Sequence, residues 1–445
     1  MHNGTDNYTY LTTAPIHRVI PTMAVPTIIS MLVTALYNMA DTFFVGKLDT
    51  QSTAAVGVVF SLMFFVQACG FFFGHGSGNY IARELGAKRH DSARRMAAAG
   101  FFLSFATGLC VTVMGLLLLR PLCFMLGATP TILPHTEQYL GIVLLGAPFF
   151  TSSLTLNNQL RLQGNASYAM VGIVTGAVLN VGLDPLLIFT FDLGVAGAAM
   201  ATVAGQVASA CILFAMTRRG ENIAIHWSQF HPTWSTAKEI FYGGSPSLCR
   251  QGLLCMATML LNHAAGTYGD AAIAAMSIVN RITMMLMAVV IGLGQGFQPL
   301  CGFCYGAGRM ARLKRAYWFT VAGGTTFLLL CSLVGWTASR QAIGLFRNDA
   351  AVIAIGALAL RWQLLSLPLN GFIMTSNMLT QTCRKPVSAN ILASARSGLF
   401  FVPLIIVLPR LIGLKGVEVC QTASDFCAFL LTVPIMAHTL RHLKG

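Results

Sequence analysis

The sequence predicts an all-α polytopic membrane protein with 12 transmembrane helices in two pseudo-symmetric six-helix bundles. Three observations predict it. Of 445 residues, 55% are hydrophobic and only 9% charged, where a soluble protein carries about 25% charged residues. The apolar residues fall into separate runs of about 20, the length that crosses the hydrocarbon as a helix. The first half of the chain also returns in the second at a nearly constant offset of 220 residues.

Charged and Pro/Gly-rich punctuation sets each element in turn. The first run, 17–40, leads up to Asp41, and the second, 54–76, closes on Gly74-His75-Gly76. Runs at 97–119 and 138–160 lie between Arg95 and Arg120 and between Glu137 and Arg161. Asp192 and Gly194 part 168–190 from 195–216. In the second half the runs are 240–263, 272–297, 317–337, 353–378, 388–408 and 417–438, punctuated by Asp270, Pro299, Arg315, Arg340, Pro386, Arg410 and Lys415. Backbone polar groups in lipid must be satisfied within the segment, so the runs are helices rather than strands.

The net charge of +14 reflects topology, not nucleic-acid binding. With the N-terminus placed inside, the cytoplasmic segments hold Arg18, Arg83, Lys88, Arg89, Arg94, Arg95, Arg218, Arg219, Lys238, Arg309, Arg312, Lys314, Arg315, Arg384, Lys385, Arg441 and Lys444. The outer loops hold only Lys47, Arg120, Arg340, Arg347, Arg410 and Lys415. That bias, 17 against 6, follows the positive-inside rule and puts both termini in the cytoplasm. No cleavable leader is expected, because the first apolar run is too long and lacks a small-residue cleavage site. Cys301-Gly-Phe-Cys304 has metal or redox spacing but no second pair, and is read as packing. Asn165-Ala-Ser167 matches a glycosylation acceptor on the wrong side of the membrane.

The repeat aligns Pro26 with Pro246, Ala55 with Ala275, Val59 with Val279 and Pro148 with Pro368. It also aligns Gly74-His-Gly76 with Gly294-Gln-Gly296, Gly86-Ala87-Lys-Arg89 with Gly306-Ala307-Gly-Arg309, and Arg95 with Arg315. One residue of slip brings Gly194-Val-Ala-Gly197 onto Gly413-Leu-Lys-Gly416. The unit holds six helices, an even number, so both copies start inside and are parallel repeats. The expected division is an N-lobe at 1–217, a linker at 218–238 and a C-lobe at 239–445. Two such lobes around a cleft suit alternating access.

Asp41 and Asp184 lie inside apolar stretches, where an acid costs several kcal/mol unless it is neutralised, hydrated or bound to a cation. Asn180 sits one turn from Asp184 on the same face, and Thr202 about 12 Å down the returning sixth helix. All four share the outer half of the N-lobe, and their oxygens suit either Na⁺ or a proton. Pro185 removes a helix donor beside Asp184, and Pro26 shares the first helix with Asp41; both are candidate hinges. Pro148, Pro246, Pro299, Pro368 and the glycines at 292, 294 and 296 are read as further helix breaks. At the repeat offset Asp41 meets Leu261, and at a local offset of 218 Asp184 meets Val402, so the coupling site is expected in one lobe only. The C-lobe carries Arg250, Arg281, Arg361 and Arg396, with one deep acid, Asp425, to pair with one of them. Candidate polar residues of a cavity are Asn38, Gln298, Arg250, Arg281, Arg396 and Asp425. The 21 Met and 29 Phe suit an adaptable apolar cavity, although most are lipid-facing or packed.

The motifs Pro26…Tyr37-Asn-Met-Ala-Asp41-Thr-Phe-Phe-Val-Gly46, Arg161-Leu-Gln-Gly164-Asn165, Asn180-Val-Gly-Leu-Asp184-Pro185 and Gly292-Leu-Gly294-Gln-Gly296-Phe-Gln298-Pro299 through Tyr305-Gly306-Ala307 resemble those of the multidrug and toxic compound extrusion (MATE) transporters, in the branch similar to the MepA and DinF types. The resemblance spans all 12 helices. It implies an antiporter of the MATE/MOP-type fold in a bacterial inner membrane, expelling organic, often cationic compounds against H⁺ or Na⁺. It implies no cofactor, no metal beyond Na⁺, no enzymatic activity, and a monomer whose partners are small molecules and the bilayer. The family's N-lobe cation site carries over onto Asp41, Asn180, Asp184 and Thr202. A NorM-like branch also uses acids in the seventh and tenth helices, and the runs assigned here to those helices have none. The runner-up is a lipid-linked saccharide flippase of the related superfamily, which the intramembrane arginines favour. A channel or sensor is the third reading.

Overall fold

Of the predicted runs, nine form single helices long and apolar enough to span a membrane, and two more are spanned by bent pairs. The computed structural model describes residues 6–443, and no strand occurs among them; Lys444 of the basic census lies outside these residues. A short helix α1 (Asn7–Thr13) precedes α2 (Ile16–Val45), α3 (Thr50–Gly86) and α4 (His90–Leu117). After the surface turn α5 (Leu119–Met125), the fourth span is the pair α6 (Leu133–Leu145) and α7 (Ala147–Leu162), bent by 48°. The fifth is α8 (Ala166–Pro185), prolonged by a π turn over Leu186–Thr190, and the sixth is α9 (Val195–Met216). The second half repeats this order with α10 (Trp234–Gly266), α11 (Asp270–Gly306), α12 (Met310–Thr337) and the surface helix α13 (Ser339–Phe346). The pair α14 (Ala350–Ser366) and α15 (Leu369–Thr382) is bent by 54°. Next come α16 (Pro386–Ser394), a π turn at Ala395–Leu399 and α17 (Phe401–Ile412), which make one span, and then α18 (Leu414–His442).

Eleven spans meet the criterion of length and hydropathy. The twelfth is α10, whose 33 residues reach about 50 Å but include Ser245, Ser247, Arg250, Gln251 and His263. It is too polar to score as a span because it packs within the bundle rather than against lipid alone. The chain is a multi-pass membrane protein of 12 spans.

The repeat is visible in the backbone as well as the sequence. Positive φ occurs at Lys88 (59°) and Gly308 (72°), at Gly164 (93°) and Arg384 (55°), and at Gly194 (56°) and Gly413 (66°). These pairs stand 220, 220 and 219 residues apart. Each half therefore spends a left-handed residue at the same turns, with glycine supplying it without a Cβ penalty in one copy or both. The two span bends fall at Pro148 and Pro368, also 220 apart, and α5 and α13 both follow the third span of their half.

The expected breaks in α11 do not form. The helix runs unbroken through Gly292, Gly294, Gly296 and Pro299, and α2 through Pro26. Both helices carry their prolines inside a continuous run, and the glycines serve close approach instead. A Cβ on Gly296 would stand 2.5 Å from the Ala24 Cα, and one on Gly292 2.8 Å from the Ile28 Cα. Gly86 approaches the Phe303 backbone and Gly302 the Ala82 side chain in the same way, while Gly76 meets the Ile240 backbone and Gly244 that of Phe72. All these contacts join the first half to the second. All lie at the end of the bundle that carries the basic loops, and there the halves pack backbone to backbone.

Candidate functional site

Asp41 closes the fourth helical turn beyond these glycine contacts. It lies 17 residues from Ala24 along α2, about 25 Å. Asp184 is the penultimate residue of α8, fully buried, and faces Asp41 across the α2–α8 contact. Asn180 is buried one turn below it and donates through Nδ2 to Thr202 Oγ1 at 3.3 Å; Thr202 in turn donates to the Ala198 carbonyl at 3.0 Å. The structure thus brings Asp41, Asn180, Asp184 and Thr202 together. Beside them stand Tyr37, against Asp41, and the buried Tyr139 of α6, which faces Thr202 and both acids. Tyr37 entered the sequence reading only as part of the motif around Asp41, and Tyr139 not at all. Tyr139 is an ordinary aromatic in an apolar run, and only the fold turns its hydroxyl toward the acids.

Oxygens at this cluster lack donors. Among the described residues Asp41 Oδ1, Asn180 Oδ1 and both Asp184 oxygens are buried with no hydrogen-bond partner. A buried unsatisfied carboxylate is expensive, and two carboxyl groups packed together repel. A shared proton or a small cation between the oxygens relieves both costs at once. Backbone geometry cooperates, since the π turn starts at Leu186, directly after Pro185. Proline at that point withholds an amide hydrogen, and the register slips by one residue beside the acid.

The cavity candidates separate into three groups. Asn38 is exposed on α2 next to Asp41, and Arg281 is exposed on α11. Arg396 and Asp425 pair with each other at 2.8 Å inside the C-terminal half. Asp425 also accepts from Ser366, Asn370 and Gln421 at 3.0, 3.0 and 2.9 Å. The acid is saturated with donors because the π turn at Ala395–Leu399 carries the Arg396 side chain across to α18. Gln298 belongs to the contact between halves, and Arg250 lies beside it, bonded to Asn377 and Ser247 of its own half.

That contact is a polar network the sequence did not disclose. Arg161, 2% exposed, donates to the Gln295 carbonyl, to Gln298 Oε1 at 3.1 Å and to Asn158 Oδ1 at 2.6 Å. Its other contact is His75 Nε2 at 3.4 Å, while His75 Nδ1 meets Ser247 Oγ at 3.0 Å. A guanidinium only donates, so Nε2 accepts and Nδ1 carries the hydrogen in this arrangement. Arg250 donates to Asn377 at 2.7 Å, and Gln381 to Ser247 at 2.8 Å. Nearer the basic end, Arg83 pairs with Glu239 at 3.3 Å and donates to the Thr382 carbonyl at 2.8 Å, and Arg384 pairs with Glu239. Glu239 also amends the sequence reading: α10 starts at Trp234 rather than 240, so the seventh span does hold an acid, at its basic end and tied by two arginines. Cys301 and Cys383 lie 3.7 Å apart as thiols, and no metal-binding cluster occurs among the described residues.

A family model described as MatE matches residues 26–186 and again 246–407, one copy per half. The multidrug export protein MepA of Staphylococcus saprophyticus is 28% identical over 432 residues, covering 95% of both chains. MepA of Staphylococcus aureus (strain NCTC 8325) is 28% identical over 449 residues, covering 98% of both. Among solved structures, an outward-facing multidrug resistance MATE family transporter of the MOP superfamily superposes with a TM-score of 0.93 at 26% identity, over 99% of each chain. A MOP superfamily transporter from Pyrococcus furiosus, whose binding pocket is described as having reverse polarity, gives 0.92 at 26% identity over 100% of each.

Proposed function

This chain belongs to the MatE family, and from that premise we propose that it is a multidrug exporter: a secondary antiporter that expels organic, often cationic compounds in exchange for H⁺ or Na⁺. One observation supports this most strongly: the acid pair Asp41–Asp184, in which both Asp184 oxygens and Asp41 Oδ1 meet no donor, held about 20 Å along α2 from the Ile28–Gly292 contact of the seal between the two halves. Placing the basic loops in the cytoplasm by the positive-inside rule makes the sealed end the inner one and this conformation outward-facing. The acid site then lies on the open side. Both termini are cytoplasmic, and the membrane is the bacterial plasma membrane.

In the proposed cycle a cation enters between Asp41 and Asp184 with Asn180 and Thr202 supplying neutral oxygens, and substrate leaves. The halves then exchange packing, opening the inner end and closing the outer, so that the cation departs inward and new substrate binds. A ligand drives such a change only through its different affinity for the two states. An unpaired acid couple provides that difference, since it tolerates the outward geometry well only when a cation is present. No enzymatic chemistry is invoked.

The test is ethidium efflux from proteoliposomes under a pH gradient or a Na⁺ gradient imposed separately. Flux driven by one gradient and lost in Asp41→Asn establishes exchange and names the ion. Absence of flux under both gradients refutes the exporter reading and leaves lipid flipping. Against flipping stands the engagement of Arg161, Arg250 and Arg396 in the protein's own hydrogen bonds, which withdraws them from an anionic headgroup.

A further inference from the structure

Seven residues make too short a helix to persist on its own in water, so α1 exists because something holds it. Two sets of residues do, one from each half. From the first half, Asn7 Nδ2 donates to the Gln163 carbonyl at 3.3 Å, and its backbone amide donates to Glu221 of the linker at 3.0 Å. Lys88 lies 4.7 Å over the Tyr8 ring, and Leu11, fully buried, packs on Gly164. From the second half, Arg309 Nη1 donates to the Thr12 carbonyl at 2.9 Å. Arg312 donates through Nε to the Leu11 carbonyl at 3.1 Å and through Nη2 to that of Ala14. These are the orphan carbonyls of a helix C-terminus, and cations are favoured there by charge as well as by hydrogen bonding.

We infer that α1 is a strap across the inner end, latching the two halves in the inward-closed state, and that it must release Arg309 and Arg312 before that end opens. The inference rests on the two-state exchange proposed above. Gln163, Gly164 and Lys88 belong to one half, and Arg309 and Arg312 to the other. When the close contacts at Gly86–Phe303 and Gly302–Ala82 part, the helix cannot keep both sets. Its seven residues have no slack, since Leu11 alone contacts Gly164 on one side and Arg312 on the other. The strap also covers the thiol of Cys304, whose Sγ is 4.0 Å from the Leu11 carbonyl, and Cys301 lies deeper, beside Arg83 of the first half.

Those native thiols report the two events separately. The full chain in nanodiscs is labelled with a charged maleimide, and each cysteine peptide is followed by mass spectrometry. In the R309A/R312A variant, and in a variant lacking residues 6–13, Cys304 and Cys301 label about tenfold faster than in the unaltered protein, the population change that loss of charge-assisted hydrogen bonds brings. Cys123 and Cys420, buried elsewhere, keep their protection. Faster labelling of Cys304 with Cys301 unchanged would mean that α1 merely covers the surface, and it overturns the latch. No change at either thiol overturns it too. Should Cys123 and Cys420 also react, the variant has lost its fold, and Arg312→Lys decides instead: a smaller rise at both Cys304 and Cys301 supports the latch, and none refutes it. Labelling needs neither substrate nor gradient, so a negative result leaves the exporter reading standing.

Discussion

Asp184 and Asp425 are the same residue at similar burial, 0% and 2% exposed, with opposite surroundings. Asp425 accepts from Arg396, Ser366, Asn370 and Gln421, whereas neither Asp184 oxygen meets a donor. The first is a cross-link within the bundle, and the second is the acid we propose for the cation site. Their substitutions are expected to fail differently. Asp184→Asn and Asp41→Asn insert and fold but lose gradient-driven ethidium efflux; wild-type flux in either would remove that acid from the coupling site. Arg396→Ala strands a buried carboxylate and lowers stability by about 3–5 kcal/mol, seen as a fall in thermal unfolding temperature in detergent. Adding Asp425→Leu to Arg396→Met recovers only part of that loss, because the apolar pair removes the stranded charge but leaves the buried donors of Ser366 and Asn370 without their acceptor. At this scale the acids were legible because a charge in an apolar run is costly wherever it points. Tyr139 was not, since a tyrosine there is unremarkable until its neighbours are known.

Helices α2, α3, α10 and α11 carry most of the contact between halves, and the glycine pattern of α11 belongs to that role. The sequence reading took Gly292, Gly294 and Gly296 as flexible breaks; the fold keeps the helix intact and uses the first and last to bring α2 within backbone contact. Glycine spacing alone does not separate the two uses, because both require only the missing Cβ. Gly296→Val distinguishes them. The valine would collide with the Ala24 backbone, so the variant is expected to reach the membrane at near-normal levels yet to lose at least about tenfold in efflux, one power of ten being about 1.4 kcal/mol. Retained efflux would show that α2 and α11 need not close this far. Proline at 185 acts differently from proline at 26. It sits at a helix end, where the π turn follows at once, while Pro26 is carried inside a continuous α2.

The whole molecule is two similar halves sealed at one end, with the acid pair in the first half near the other. Such a bundle is expected to respond to its cation globally. Adding Na⁺, or lowering pH if the proton couples, should shift hydrogen exchange at the inner segments around 76–86 and 292–306 in wild type but not in Asp41→Asn. An unchanged pattern in wild type would deny communication along α2. The count of spans, the repeat and the positions of the costly acids were all present in the sequence. Hydropathy adds up along the chain, and a duplicated chain keeps its punctuation. Tertiary structure alone decided which polar groups find partners: Arg161 with residues 134 and 137 positions away, Arg83 with Thr382, Arg312 with α1. It also decided which end is closed. The same sequence must satisfy two packings that differ by only a few kcal/mol, so no local pattern encodes one of them, and only the contacts made across the halves select it.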